Sequence, residues 1–259
     1  MSIISKKNVL VPLSLTNKTH IHIQKGNKKL GKGIATFNLL PGDILMSKST
    51  GLPFTNVRGT CKGVCQYCEH DCYAVRDAKL HYNAVLPSAG ANTLLMRYRI
   101  KQAEDEIVSF LKKHKSIQEF RWHSSGEIES LPQLELMNNV ALKFPNIRFG
   151  TYTKRFDILE EFCQKHGKIA DNFTINLSVW RDNFDKLKYD FKGNNFNYFV
   201  YHDPIKEPSE TIAKMIHCPA VNKPLEGHKK GSRNKNITCS QCGRCYKGNK
   251  GLYTAVYSH

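Results

Sequence analysis

The sequence predicts an α/β protein built as a full or partial (β/α) barrel that ends in a cysteine-rich C-terminal tail. Strand-like and helix-like patterns alternate from residue 117 to residue 203. Strands that alternate with helices of ten or more residues are typical of a parallel sheet with right-handed crossovers. The 259 residues are 40% hydrophobic and 24% charged, which is typical of a globular domain with a sizeable core.

Each element follows from a local pattern. Residues 1–50 read as short strands and turns, and a long amphipathic helix is predicted over 88–115. The alternating part comprises strands at 117–124, 146–153, 172–180 and 197–203, with helices at 131–144, 156–167 and 181–189. Active sites of barrels lie at the C-terminal ends of the strands, so residues that directly follow strands are the candidates for function.

The chain is predicted to divide into three regions, and its charge is uneven. Residues 1–50 lead into the barrel, 51–213 form the α/β core, and 214–259 form a basic, cysteine-rich, metal-binding tail. Residues 1–60 hold nine lysines and arginines against one acid, and residues 214–259 hold the same balance. Two basic ends around a nearly neutral centre predict a polyanionic partner, nucleic acid. The alternative is a compositional excess of lysine in a chain rich in Lys, Asn and Ile.

The sequence favours a cytoplasmic protein with no membrane contact. No stretch approaches eighteen apolar residues, and the first fifteen residues lack the apolar core of a signal peptide. Intracellular cysteines are more often metal ligands or catalytic groups than disulfides. Eight of the nine cysteines fall into two groups, and Cys163, which stands alone, is predicted to be a small core residue.

The first cysteine group lies in the run CKGVCQYCEHDC and consists of Cys61, Cys65, Cys68 and Cys72. The first three are spaced C-x3-C-x2-C, and Tyr67 precedes the third. Three thiolates on one short loop can converge on a single iron–sulfur cube and leave one iron open to a small molecule. The alternatives are a structural zinc site made by all four cysteines, or a cluster in which Cys72 replaces Cys65 or Cys68.

This loop resembles the signature loop of the radical S-adenosylmethionine (radical SAM) enzymes. The resemblance implies a 4Fe–4S cluster on Cys61, Cys65 and Cys68, with S-adenosylmethionine chelated at the open iron. It also implies an electron donor such as flavodoxin or ferredoxin, and hydrogen abstraction from a substrate by a 5′-deoxyadenosyl radical.

Three further positions are candidates for binding the cofactor. In radical SAM enzymes a Gly-Gly-Glu-like motif ends the second barrel strand and holds the methionine amino group. Ser125, Gly126 and Glu127 match that motif in position, with serine in place of the first glycine. Ser178 could bind a ribose, and Lys154 a carboxylate or phosphate. The alternative interpretation is an ordinary capped turn with solvated charges.

The second cysteine group consists of Cys218, Cys239, Cys242 and Cys245. Overlapping C-x2-C steps with a distant cysteine predict a separate metal centre that organises the tail, either a second 4Fe–4S cluster or zinc. Metal binding would also stabilise a segment with little apolar content.

The order of the motifs resembles a family of phage-encoded proteins typified by gene product 88, over residues 30–245. The leading hypothesis is a radical SAM enzyme that acts on a nucleic acid or a nucleotide, with Trp180 or Tyr152 stacking a base. The alternatives are a non-enzymatic, metal-stabilised nucleic-acid-binding protein, and a barrel that has lost SAM chemistry but keeps its cluster.

Overall fold

An eight-stranded mixed sheet organises the chain in the computed structural model, which describes residues 10–61, 67–68, 72–188, 194–203, 209–222, 231–248 and 253–257. The strands are β1 (Ile23–Asn27), β2 (Gly31–Phe37), β3 (Glu119–Trp122), β4 (Arg148–Thr153), β5 (Phe173–Val179), β6 (Phe196–His202), β7 (Ile216–His217) and β8 (Tyr253–Tyr257). Their spatial order is β1-β2-β3-β4-β5-β6-β8-β7. Only the β1–β2 pair is antiparallel among the described ladders.

Seven α-helices accompany the strands in the described part of the chain. They are α1 (Tyr73–Leu80), α2 (Tyr82–Tyr98), α3 (Ile100–Lys113), α4 (Leu131–Lys143), α5 (Phe156–His166), α6 (Glu210–Ala213) and α7 (Cys239–Cys242). Short 3₁₀ helices cover Arg181–Lys188 and Arg244–Tyr246. The alternation predicted for the α/β core is therefore present, with strand and helix boundaries close to those read from the periodicity.

The predicted helix over 88–115 is two helices. Arg99 leaves helical geometry, with φ −141° and ψ 52°, and its Nη1 donates to the Thr16 carbonyl at 3.0 Å. At this break α2 ends and α3 begins, and the strongly amphipathic α3 turns Ala103, Ile107 and Leu111 into the core.

The prediction of a full barrel is wrong. Strands β2 to β6 and then β8 follow one another as parallel neighbours, which is the order of a barrel wall, but the sheet is not closed. Closure requires the two edge strands to pair with each other. Among the described ladders, β1 pairs only with β2, and the two-residue β7 pairs only with β8. The fold is therefore an open mixed α/β sheet.

The two faces of this sheet are covered differently. Side chains alternate across a strand, so Phe120 and Trp122 of β3 face the helices while Arg121 faces the other side. The helix-covered face holds the main apolar core, in which the Trp122 ring packs edge-on against Phe37 and Phe120 at centroid distances of 5.7 and 4.8 Å. Strand β5 is buried at all seven positions, because other residues of the chain also cover the face of the sheet that lies opposite the helices.

That opposite face is covered by residues 238–248, here called the tail segment. The Asn176 amide donates to the Cys245 carbonyl at 3.0 Å, and Arg244 Nε donates to Thr254 Oγ1 at 2.9 Å. A Cβ on Gly150 would lie 2.8 Å from the Tyr246 ring, so the tail segment contacts the β4 backbone at a position that has no side chain. The C-terminal region thus contributes both a cover for the sheet and strands β7 and β8.

A smaller apolar cluster holds the segment that leads to the cysteine loop. Leu40, Leu45 and Phe54 pack against α1 and α2 through Ala78, Leu86 and Ala89. No helix in the described ranges combines the length and the apolar character that a membrane crossing needs.

Candidate functional site

A cavity of about 220 Å³ lies on the tail side of the sheet, at the C-terminal ends of the strands. Residues that directly follow β3, β4 and β5 line it, as expected for this class of sheet. Both cysteine groups contribute to its wall: Cys61, Cys68, Cys72, Cys218, Cys239, Cys242 and Cys245. Cys65 lies outside the described residues. The two groups, separated by about 150 residues in the chain, therefore share one cavity.

The stem of the cysteine loop is anchored to the end of β2. The Cys61 amide donates to the Gly42 carbonyl at 2.9 Å, and the Thr60 amide and hydroxyl both donate to the Leu40 carbonyl at 2.9 Å. Arg97 of α2 donates to the carbonyls of residues 58 and 59 and forms a two-pronged ion pair with Glu129 at 2.6 and 2.8 Å. These contacts hold the loop entrance against α2 and the segment after β3.

Two thiols of the loop form a hydrogen-bonded pair. The Cys68 thiol donates to Cys72, which lowers the pKa of Cys72 to about 7 and raises that of Cys68. Burial raises the pKa of Cys61 to about 12. Thiolate is the form that binds metal, and this pairing favours the thiolate of Cys72 over that of Cys68.

The Ser125–Gly126–Glu127 turn docks on the residue that follows β2. The Leu39 amide donates to the Ser125 carbonyl at 3.0 Å, and Ser125 Oγ donates to the Leu39 carbonyl at 2.8 Å. Gly126 has φ +87°, and a Cβ there would lie 2.6 Å from Leu39 Cβ, so the turn requires glycine. The turn lies between the cysteine-loop stem and β4.

Glu127 is buried in the cavity wall, and its carboxylate accepts three hydrogen bonds. The donors are the Ile128 amide at 2.9 Å, Thr153 Oγ1 at 2.6 Å and the Lys154 amide at 2.9 Å. A carboxylate offers about four lone-pair sites, so one acceptor site remains. Such a residual acceptor suits an ammonium group, and the three donors keep the carboxylate in place.

Lys154 and Ser178 lie at neighbouring strand ends and both line the cavity. Lys154 Nζ lies 5.7 Å from the centre of the Trp180 ring. Ser178 Oγ accepts from Trp180 Nε1 at 3.0 Å, and the Trp180 ring stacks on Tyr201 at 4.0 Å. The cavity therefore has an aromatic wall near these polar groups.

The tail cysteines are positioned by a short capped helix. Thr238 and Gln241 form a capping box at the start of α7, and the Cys239 amide donates to the Lys29 carbonyl at 3.1 Å. Burial raises the pKa values of Cys218 and Cys239. It raises the pKa of Cys245 to about 12, although the Tyr152 hydroxyl donates to this thiol and acts against the rise. Arg121 and Lys29 act against the shift at Cys239 by favouring its thiolate.

The donor chemistry of both groups fits metal–thiolate binding, although the metal itself is not established. Within the described ranges, no three or more His, Cys, Asp or Glu side chains are arranged around a single metal-ion position. A metal-organised tail is therefore unconfirmed. The thiols of both groups, once deprotonated, are the ligands that an iron–sulfur cluster or zinc would use, and adjacent cations favour that deprotonation at Cys61 and Cys239.

Sequence reasoning missed Arg121 in the cavity wall. Arg121 stands between Phe120 and Trp122 in the strand sequence EFRW, and a cation between two buried aromatic residues was a usable signal. His123, which opens the candidate motif HSSGE, also lines the cavity; it is 3% exposed and adopts φ 53°, a backbone conformation that no sequence pattern announces. By contrast, Cys163 packs against the main core, as predicted for an isolated cysteine.

The basic ends reach the cavity only in part. Among the described residues of these two regions, Lys29 and Arg244 line the cavity, whereas Lys28, Lys48 and Lys235 are exposed elsewhere. The predicted basic rim for a nucleic acid therefore stays a prediction.

Comparisons with known proteins cover most of the chain. A family model described as gene product 88 matches residues 20–248, a range that includes both cysteine groups. An uncharacterized protein of Plasmodium falciparum (isolate 3D7) is 25% identical over 166 residues. The match covers 51% of this chain and 17% of that protein, so the chain spans a small part of that relative. No solved structure matches the chain.

Proposed function

The chain belongs to the phage gene product 88 family, and on that premise we propose that it is a radical SAM-type iron–sulfur enzyme that acts on a nucleic acid or a nucleotide. One observation supports this most directly. The cysteine loop, the Ser125–Gly126–Glu127 turn and the ends of consecutive parallel strands face the same cavity. The spacing of Cys61, Cys65 and Cys68 adds the match to a three-cysteine cluster loop.

In this proposal each residue has a specific task. Cys61, Cys65 and Cys68 hold a 4Fe–4S cluster, which supplies one-electron cleavage of S-adenosylmethionine when bound. Glu127 uses its remaining acceptor site for the methionine ammonium, and Ser178 and Lys154 contact the ribose and the carboxylate. The aromatic rings of Trp180 and Tyr201 exclude water and offer a stacking surface. Cys218, Cys239, Cys242 and Cys245 hold a second 4Fe–4S cluster or zinc.

A second candidate is a non-enzymatic nucleic-acid-binding protein stabilised by zinc or iron–sulfur. The Cys68–Cys72 pair favours it, because Cys72 lies beside Cys68 and a fourth loop cysteine can close a four-cysteine structural site. The two basic ends support this candidate as well as they support the proposed enzyme. A fold that keeps a cluster without SAM chemistry lies between the two candidates.

Metal analysis of protein purified without oxygen separates these candidates. The proposed enzyme contains iron and sulfide, and the triple variant Cys61→Ala, Cys65→Ala, Cys68→Ala loses one cluster's worth of iron. Cys163→Ala is the matched control and retains all of it. Stoichiometric zinc without iron, or unchanged iron in the triple variant, rules out the proposed cluster.

Turnover is tested separately on the iron-loaded protein. With a chemical reductant and S-adenosylmethionine, we expect the protein to form 5′-deoxyadenosine. In a second assay, flavodoxin or ferredoxin should serve as electron donor in place of the chemical reductant. Iron-loaded protein that forms no 5′-deoxyadenosine supports the fold that keeps a cluster without SAM chemistry.

A further inference from the structure

Arg121 is a cavity-lining cation with no counter-ion among the residues that the structure describes. Its guanidinium lies 4.6 Å above the Tyr152 ring, and no described residue forms a hydrogen bond or an ion pair with it. The Nε atom is buried without a partner. Leaving a buried charged donor unpaired is costly, so a guanidinium in this position indicates a missing acceptor.

The charges around Arg121 do not provide that acceptor. Lys29, Lys154 and Arg244 also line the cavity, and Glu127 is the single acid among its described lining residues. The Glu127 carboxylate already accepts three hydrogen bonds from its own turn and from β4. Burial and the nearby Arg121 both lower the pKa of Lys29, whereas Cys239 and Cys218 act in the opposite direction, so the two cations lie close together beside the tail cysteines.

Two residues that follow Arg121 along the chain add unpartnered polar atoms. Both ring nitrogens of His123 and the Ser124 hydroxyl are buried without a hydrogen-bond partner among the described residues, and both residues line the cavity. His123 also adopts φ 53° while its amide donates to the Phe37 carbonyl at 2.8 Å. Backbone strain of this kind occurs preferentially at ligand sites.

We propose that Arg121, His123 and Ser124 form a subsite for an oxyanion, the phosphate or carboxylate group of the molecule that enters the cavity. Arginine presents a rigid fork of donors that matches such groups. The neutral imidazole and the hydroxyl each add a donor, and the Tyr152 ring supports the guanidinium from beneath. The inference rests on the proposed function only where it identifies that molecule as the substrate of the enzyme. In that case it predicts a substrate that carries an anionic group.

A rival role for Arg121 is to offset negative charge on the tail cysteines, since it favours the thiolate of Cys239. That role explains the charge but leaves His123 and Ser124 unpartnered. The two roles also predict different losses: removing Arg121 would reduce metal content in the rival account and oxyanion binding in ours.

Calorimetric titration of the full-length, metal-loaded protein without oxygen tests the subsite. The probes are inorganic phosphate, adenosine monophosphate and succinate, which separate a free phosphate, a nucleotide and a carboxylate source. We expect at least one probe to bind, with affinity reduced about 10- to 150-fold in Arg121→Met, the range for hydrogen bonds to charged groups. Lys112→Met, an exposed cation on α3, is the control and binds as wild type does.

Two more variants keep the test decisive. Arg121→Lys retains the charge without the fork and should bind more weakly than wild type, so it replaces Arg121→Met if the latter does not fold. His123→Asn tolerates the backbone conformation and should also weaken binding. No binding of any probe, unchanged affinity in Arg121→Lys and His123→Asn, or loss of metal alone in the arginine variants overturns the subsite. Absence of iron or of 5′-deoxyadenosine in wild type instead refutes the proposed function and leaves the binding result to stand.

Discussion

At the scale of single residues, the Glu127 carboxylate connects the turn after β3 with the end of β4. Its three donors come from Ile128, Thr153 and Lys154, so it fixes the relative position of two strand ends. The same atoms leave one acceptor site for a cationic ligand. Structural and binding roles therefore coincide in one side chain, and a test must measure both.

We expect Glu127→Gln to lower the free energy of unfolding by about 1–3 kcal/mol. The side-chain amide nitrogen of the variant would face a hydrogen-bond donor whose acceptor in wild type is a carboxylate oxygen. The variant should also weaken binding of S-adenosylmethionine while keeping its iron. Urea unfolding, equilibrium dialysis and iron analysis measure the three effects. Glu160→Gln, an exposed carboxylate on α5, is the control. Wild-type affinity in the Glu127 variant would remove this turn from the cofactor site.

His123 makes stability depend on pH. Burial lowers its pKa to about 3, from an ordinary value of 6.5. The unfolded chain binds a proton on this imidazole near pH 6.5, whereas the folded protein does so only near pH 3. Stability therefore falls as the pH drops through this interval, by up to about 1.4 kcal/mol per pH unit.

Unfolding in urea from pH 7 to pH 4 measures this dependence. His123→Asn should flatten the loss below pH 6.5, whereas His81→Asn, at an exposed site, should follow wild type. Parallel curves for wild type and His123→Asn would show that other groups control acid sensitivity.

At the scale of elements, the segment before the cysteine loop depends on α2. Arg97 joins the carbonyls of residues 58 and 59 to Glu129, and both charged side chains are largely buried. Arg97→Met should destabilise the protein by about 2 kcal/mol, since it leaves a buried carboxylate and two carbonyls unpaired. Hydrogen exchange should become faster at residues 58–61. Lys101→Met breaks an exposed pair on α3 and should change neither measurement.

The contact between β4 and the tail segment depends on the missing side chain of Gly150. A methyl group there would meet the Tyr246 ring at 2.8 Å and the Cys245 carbonyl at 3.2 Å. Gly150→Ala should therefore cost about 1–3 kcal/mol and expose the tail cysteines to maleimide labelling. In a Tyr246→Ala background the same change should cost less, because the clash is gone. Equal costs in both backgrounds would show that the tail segment does not press on β4.

At the scale of the whole molecule, the net charge of +17 is the feature most open to test. If the two basic ends bind a phosphate backbone, affinity for DNA or RNA falls with salt, by about 0.9 log units per tenfold salt for each phosphate neutralised on duplex DNA. Replacing Lys28 and Lys235 with glutamine should reduce that slope. Replacing Lys112 and Lys113, which lie in the neutral central region, should not. Equal slopes for both pairs would indicate that the lysine excess is compositional.

The sequence by itself determined the local features of this protein. Alternating periodicity located β3 to β6 and the helices between them, since the period of apolar residues depends on near neighbours. Spacing alone separated the two cysteine groups, and the resemblance to radical SAM enzymes singled out the Ser125–Gly126–Glu127 turn. These features depend on residues only a few positions apart.

Only the tertiary structure decided how those pieces combine. Strand β8 pairs with β6 across about fifty residues, the sheet stays open, and the tail segment covers the face that would line a closed barrel. This packing brings Cys239 and Cys72 to one cavity, where Arg121 has no counter-ion among the described lining residues. The physical reason is that long-range contacts depend on which apolar surfaces remain exposed after the helices and strands have formed. No short stretch of sequence determines that outcome.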